Sequence, residues 1–263
     1  MKYVYFTKLI QPREISAYIA FAKKVGLDGF DLAVRPGYPV NPTNVAKELP
    51  VALKKFRDAG LSIGLVTAPT GMIDPKSKSA QTIFDACGNA GISAIKIGYF
   101  RYRGNADAEI KSAHEALAGF AKLAEKTKVK ACYHTHSGSF LGANCGMLRL
   151  MLKDLDPHHL GVFADTGHLA VNGSPISLEL DLIRNWLHLI AIKDMVRKKT
   201  DRGWRHSDAP AGKGMVHWSE LSRTLKKLKF NGTISLHGEY HVKDAEERIQ
   251  LGKGELQFLK KLF

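Results

Sequence analysis

Three times in its first hundred residues the chain repeats one local device. A helix-patterned stretch meets a glycine, and an apolar run follows at once: VGLDGF (25–30), AGLSI (59–63) and AGISAI (90–95). Glycine at that position is a natural left-handed stop for a helix, so each copy reads as helix, cap, strand. The same alternation can be followed to the end of the chain. Strands are predicted at 3–7, 29–34, 62–68, 94–100, 130–136, 160–167, 187–194 and 233–240. Between them lie helical spacings, clearest over 14–25, 44–58 and 107–126, where apolar residues recur every three or four positions. Eight strands separated by helices predict a single (β/α)8 TIM barrel over residues 1–263. A doubly wound open sheet is the other solution of this pattern. It is disfavoured because no glycine-rich dinucleotide fingerprint follows the first strand. No linker divides the chain. Residues 196–216 read as a long, polar, basic loop, and a loop of that length in a compact domain is usually functional or mobile.

Barrel enzymes carry their sites at the C-terminal ends of the strands. In this chain those ends hold Asp31 and Arg35, Lys96, Tyr99 and Arg101, His134 and His136, Asp165 and His168, Lys193 and Asp194, then His237 and Glu239. Side chains alternate along a strand, so residues two apart share a face. By that parity His134, Asp165, Lys193 and Glu239 all point into the barrel mouth. Imidazole flanked by carboxylates suits a divalent metal (Mn²⁺, Mg²⁺ or Zn²⁺), with His134, Asp165 and Glu239 as ligands. Such an ion would polarise a sugar carbonyl or hydroxyl pair while a carboxylate carries the proton. Lys193 competes with this reading, because an ammonium in the same small cavity opposes a cation.

Other features are weaker guides. Trp204, in the long loop, suits either a sugar platform or a loop anchor. Trp218 reads as packing near the start of a helix. The glycines of AGKG (211–214) resemble a phosphate cradle but fit a turn into that helix better. The net charge of +14 raises nucleic acid or an anionic substrate as partners, yet much of the excess is lysine on helical faces. Three cysteines with no CxxC spacing, and an N-terminus without a signal-peptide pattern, point to a cytoplasmic home. No apolar run is long enough for a membrane span. A homo-oligomer is compatible with all of this.

GFDLAVRPGYPV (29–40), YHTHSG (133–138), FADTGH (163–168), AIKD (191–194), AGKGMVHW (211–218) and ISLHGEY (234–240) together resemble the xylose-isomerase-like barrels. That superfamily holds sugar phosphate isomerases and epimerases and an endonuclease acting at abasic DNA sites. The resemblance implies an isomerase or epimerase, or a related lyase, acting on a small carbohydrate or keto-sugar. Glu239 would be the base, with His134 or His168 as its acid–base partner. Asp165 would hold the metal. Arg35, Lys96 and Lys193 would bind hydroxyl, carboxylate or phosphate groups, and His136 and His237 would join them as substrate contacts. Two positions depart from the family. His134 stands where the relatives carry a metal-binding glutamate, and Ala191 where they carry a metal-binding histidine. A symmetric two-glutamate proton transfer is therefore not available, although a His/Glu pair can still exchange protons near neutrality. The departures also fit a metal-free lyase, or a barrel that has lost catalysis and serves as a binding or partner subunit. The nuclease reading is disfavoured because strands two to four end in Arg35, Thr67 and Lys96 rather than in metal ligands.

Overall fold

The predicted apolar runs all become strands, but shorter ones. In the computed structural model, which describes residues 1–263, they are β1 (Lys2–Phe6), β2 (Gly29–Ala33), β3 (Ser62–Thr67), β4 (Ala94–Lys96), β5 (Lys130–His134), β6 (Leu160–Asp165), β7 (Leu187–Ile192) and β10 (Thr233–Leu236). They pair in parallel in the order β1-β10-β7-β6-β5-β4-β3-β2 and close on themselves as a barrel. The open sheet is thereby excluded. Val34, Ala68, Ile97, Thr135 and His237, just past their strands, still donate to the neighbouring strand, and only at β4 does a loop compete for the trimmed residues' backbone groups. The N–H of Gly98 goes to Met72 O and that of Tyr99 to Thr70 O, instead of continuing β4.

Helices α1 (Ile15–Val25), α2 (Val45–Asp58), α3 (Lys78–Asn89) and α4 (Ala106–Thr127) follow β1 to β4. The three helix-ending glycines, Gly26, Gly60 and Gly91, take φ of 89°, 76° and 70°, the left-handed region that the sequence pattern requires. Helix α4 buries Ala113, Leu117, Phe120, Leu123 and Ala124, the face set by its three-to-four spacing. Two helices begin on asparagine caps: Asn105 Oδ1 accepts from Ala108 N at 3.2 Å, and Asn144 Oδ1, opening α5 (Cys145–Leu152), from Met147 N at 2.9 Å. Then come α6 (Thr166–Asn172), α7 (Ile176–Leu182), α8 (Trp218–Lys227) and α9 (Ala245–Leu262).

The core has two parts. A cluster of 59 buried residues fills the layer between barrel and helices. Seven more, Val4, Leu65, Ala94, Cys132, Phe163, Leu189 and Ala191, plug the barrel's interior. Ala191 is therefore part of the floor under the mouth. Cys87, Cys132 and Cys145 are all free thiols buried as small apolar groups.

The expectation of a long loop over 196–216 is corrected. Strands β8 (Asp194–Thr200) and β9 (Gly203–Ala209) form an antiparallel hairpin outside the barrel. Its tip is solvent-exposed on both faces, so no apolar alternation marks it. It is held by the ladder and by Arg197, whose guanidinium lies 4.8 Å from the exposed Trp204 ring. Trp204 does not line the barrel mouth. The turn beyond the hairpin is built around Asp194. Its Oδ1 accepts from the N–H of Met195 and Val216, and its Oδ2 from those of Gly212 and Gly214 and from Trp218 Nε1, at 2.8–3.1 Å. The glycine turn is thus an anion cradle already filled by the protein's own carboxylate. A Cβ on Gly214 would lie 2.2 Å from Asp194 Oδ1, so only glycine fits there. Trp218 packs edge-on against Phe258, as expected of a core residue.

Candidate active site

The deepest polar layer of the mouth starts at Asp31 on β2, which is fully buried. Its carboxylate accepts from Thr67 Oγ1 at 2.6 Å and Ser235 Oγ at 3.0 Å. His237 Nε2 lies 3.4 Å from the same group, and His237 Nδ1 lies 3.9 Å from Asp165 Oδ2. His134 Nε2 is 3.5 Å from that Asp165 oxygen. The His134 and His237 rings are parallel, 5.5 Å apart, with Asp165 close to both. Asp165 Oδ1 caps α6 through His168 N at 2.9 Å, so the residue is a helix cap and also faces the two imidazoles. His134 Nδ1 meets Tyr99 Oη at 3.1 Å. Three atoms of this layer, His134 Nε2, Asp165 Oδ2 and His237 Nε2, are buried without a hydrogen-bond partner.

One ligand atom from each of His134, Asp165 and His237 falls within 4.8 Å of the others. Glu239, expected as the third ligand, is not in that set, and His237, expected as a substrate contact, is. The physical reason is charge: Glu239 is already engaged. Lys8 Nζ donates to its Oε1 at 2.5 Å, and Lys193 Nζ donates to its Oε2. Lys193 Nζ also lies 3.7 Å from Asp208 on β9 and 3.4 Å from His168 Nε2. With the ammonium as donor, His168 Nε2 holds a lone pair and Nδ1 carries the proton toward Ser137 Oγ, 2.9 Å away. The His168 ring stacks on His136 at 3.9 Å.

Burial sets the charge states. It opposes the Lys193 ammonium, but Asp165, Glu239 and Asp208 outweigh it and the net shift is upward. Burial likewise opposes the Glu239 carboxylate, yet Lys193, His237 and Lys8 hold it well below the usual carboxylate range. Burial pushes His134 and His168 well below the ordinary imidazole value, aided by His237 and Lys96 for the first and by Lys193 for the second. Both are neutral near pH 7. Burial raises Asp165, with Lys193 and His237 pulling the other way.

Arg35, Lys96, His134, His136, His168, Lys193, His237 and Glu239 line one small cavity of about 110 Å³, and Asp165 lies just behind this lining. The strand ends thus bring these residues together, except that Arg101 lies exposed over Phe140 and Asp194 is engaged in the glycine turn. Lys8 and Asp208 were not anticipated. Lys8 lies one residue past the predicted end of the first strand, an end that carries no charge itself. Asp208 belongs to the hairpin that read as a loop.

No curated protein sequence matches the chain. Its fold is shared with solved structures at low identity. The 3-keto-D-glucoside 4-epimerase of E. coli superposes with a TM-score of 0.77 at 16% identity, covering 99% of each chain. The D-psicose 3-epimerase of Clostridium cellulolyticum H10 gives 0.77 at 14%, covering 100% of this chain and 99% of that one. A probable 3-DHS dehydratase of Bacillus anthracis gives 0.74 at 17%, covering 99% of each. No helix is long and apolar enough to cross a membrane. The family model for the xylose isomerase-like TIM barrel matches residues 19–262, and the chain belongs to that family.

Proposed function

We propose that the chain is an isomerase or epimerase of a small carbohydrate, moving a proton at a carbon beside a carbonyl. The observation that carries this reading is one cavity lined by a carboxylate, an ammonium bound to it and neutral imidazoles from two further strand ends. The epimerases among the similar structures support it.

Glu239 is the base. Its neighbouring lysines keep it ionised in the resting protein, and substrate that draws either ammonium away strengthens it as a proton acceptor. The Lys193 ammonium supplies fixed positive charge for the oxygen that becomes negative when the proton leaves. His168, with Nδ1 held by Ser137 and the Nε2 lone pair beside Lys193, is the acid–base partner, and His134 Nε2 takes that part only where no cation occupies it. His136, stacked on His168, and Arg35 and Lys96 on the opposite wall hold the substrate.

A divalent cation fits beside this machinery. His134 Nε2, Asp165 Oδ2 and a His237 nitrogen would hold it, since this set combines two imidazoles with a carboxylate oxygen that lacks a partner. Tyr99 at His134 Nδ1 and Asp31 near His237 Nε2 orient the rings from behind. When bound, the ion would polarise the carbonyl or adjacent hydroxyl.

The test is deuterium wash-in from D2O, followed by NMR, on ketose and 3-keto-sugar panels with Mn²⁺, Mg²⁺ or Zn²⁺ added. Exchange at a carbon next to the ketone is expected, and Glu239→Gln should slow it by about 100-fold or more. Full activity in that variant would remove Glu239 as the base.

A further inference from the structure

The cations of the mouth are not alike. Lys8 and Lys193 share Glu239, so their charge is matched. Arg35 and Lys96 have no carboxylate within ion-pair distance. Lys96, at the end of β4, is 1% exposed, and its Nζ has no hydrogen-bond acceptor at all. Its nearest compensation is the face of Tyr99, 3.4 Å from the ammonium to the ring centroid. Arg35 makes one long hydrogen bond, Nε to Ala68 O at 3.3 Å, and its guanidinium lies 5.4 Å from the Phe6 ring centroid. Both line the cavity, on the wall made by β2 and β4.

Leaving a buried charged donor unpaired costs several times what a surface charge costs. A cation–π contact recovers only part of that cost and does not replace an anion. Burial, and next the nearby Arg35, push the Lys96 amine well below its ordinary value, so its charged form is disfavoured until an anion comes beside it. A neutral sugar brings only hydroxyls. A carboxylate or phosphate brings two or three acceptor oxygens and a charge, and a guanidinium grips such groups through paired N–H donors.

We propose that the β2–β4 wall is an oxyanion subsite. The substrate is then a carbohydrate bearing a carboxylate or a phosphate, gripped by Arg35 and Lys96 with its reacting carbon toward Glu239 and His168. This rests on the carbohydrate reading above and narrows its substrate class.

The experiment is calorimetric titration of the full chain at low salt with four probes: D-fructose, D-glucuronate, D-fructose 6-phosphate and inorganic phosphate. At least one of the two anionic sugars should bind about tenfold or more tightly than D-fructose. Which one it is separates carboxylate from phosphate. In Lys96→Met, in Arg35→Gln and in the double variant that preference should fall toward unity. Either single variant suffices if the other fails to fold by circular dichroism. Equal affinity for D-fructose and both anionic sugars, or a preference that survives the double variant, would overturn the subsite. Inorganic phosphate separates the two failures. If phosphate binds through Arg35 and Lys96 while no sugar does, the subsite stands and the carbohydrate reading falls. If D-fructose is exchanged by Glu239 without any preference for anions, the reverse holds.

Discussion

Two regions of the barrel mouth handle the same problem, buried charge, in opposite ways. On the β1/β7/β10 side Lys8, Glu239, Lys193 and Asp208 form a closed set in which every charge faces its opposite. Across the middle of the mouth His134 of β5, Asp165 of β6 and His237, one residue past β10, bring polar atoms together and leave three of them unsatisfied. The first set is ion-paired within itself and can act as a fixed electrostatic frame, although Asp208 Oδ1 accepts no hydrogen bond. The second has no lysine within ion-pair distance and three unpartnered atoms facing one another.

The strongest way to break the closed set is to remove its most buried member. Lys193→Met leaves Glu239, Asp208 and Asp165 facing one another without their shared counter-charge. Breaking a buried pair by deleting one partner costs about 3–5 kcal/mol. The lower end, about 3 kcal/mol in urea unfolding, is expected because Lys8 still holds Glu239 Oε1. Lys8→Met removes a partner of the same carboxylate, but the Lys8 side chain is 39% exposed, and its loss should cost about 1 kcal/mol or less. If the two variants cost the same, burial is not what makes the Lys193 contact strong.

A third buried carboxyl shows what happens in this barrel when no lysine is supplied. Glu255 on α9 accepts from Ala211 N at 2.9 Å and Tyr240 Oη at 2.8 Å, both neutral donors. Burial outweighs these bonds, which pull the other way, and its pKa is pushed up to about 7. Its folded-state value is thus raised above the unfolded one of 4.5, and the folded protein holds an extra proton between the two. Stability from this group is fully present below about pH 4.5 and is lost as pH rises through about 7. The loss should approach about 3 kcal/mol, since each unit is worth about 1.4. Glu255→Gln should flatten that slope in a pH series of urea titrations. Glu239, pushed the opposite way by its lysines, contributes stability above its unfolded pKa and loses it only in strong acid. A Glu255→Gln protein with an unchanged slope between pH 5 and 8 would show that the carboxyl titrates normally.

The frame of this molecule was legible because it rests on local rules. Strand runs such as SIGLVT and the helix-ending glycines carry their conformation in their own residues. The hairpin was not legible, because Arg197 to Arg205 bury no face and therefore show no alternation. At the site, position was legible and partnership was not. Parity along 233–240 placed Ser235, His237 and Glu239 on one face, but β10 ends at Leu236 and Gly238 turns the chain with φ of 22°. A Cβ at Gly238 would strike Tyr5 Oη at 1.9 Å, so that turn depends on a strand more than 200 residues away. His237 and Glu239, on either side of that turn, still line the mouth as parity requires, but their partners were not readable: His237 faces Asp165, and Glu239 reaches Lys8, 231 positions distant in sequence.

The mildest substitution tests the open set most directly. Asp165→Asn keeps an oxygen to accept from His168 N, so the α6 cap survives. The oxygen it alters, Oδ2, has no hydrogen bond to lose. Lys193 loses one of its favourable carboxylates but keeps Glu239 and Asp208. Stability should therefore change by about 1 kcal/mol or less, several times below the effect of Lys193→Met. Divalent binding should respond in the opposite proportion. An amide cannot replace the charge of a carboxylate between two imidazoles, so Mn²⁺ or Zn²⁺ uptake, measured by mass spectrometry after gel filtration, should drop from stoichiometric to background. Lys193→Met, which removes the competing ammonium, should keep or strengthen that uptake wherever it folds. A protein that binds no ion before or after either change would leave His134, Asp165 and His237 without a metal role. Their unpartnered atoms would then belong to the substrate's hydroxyls.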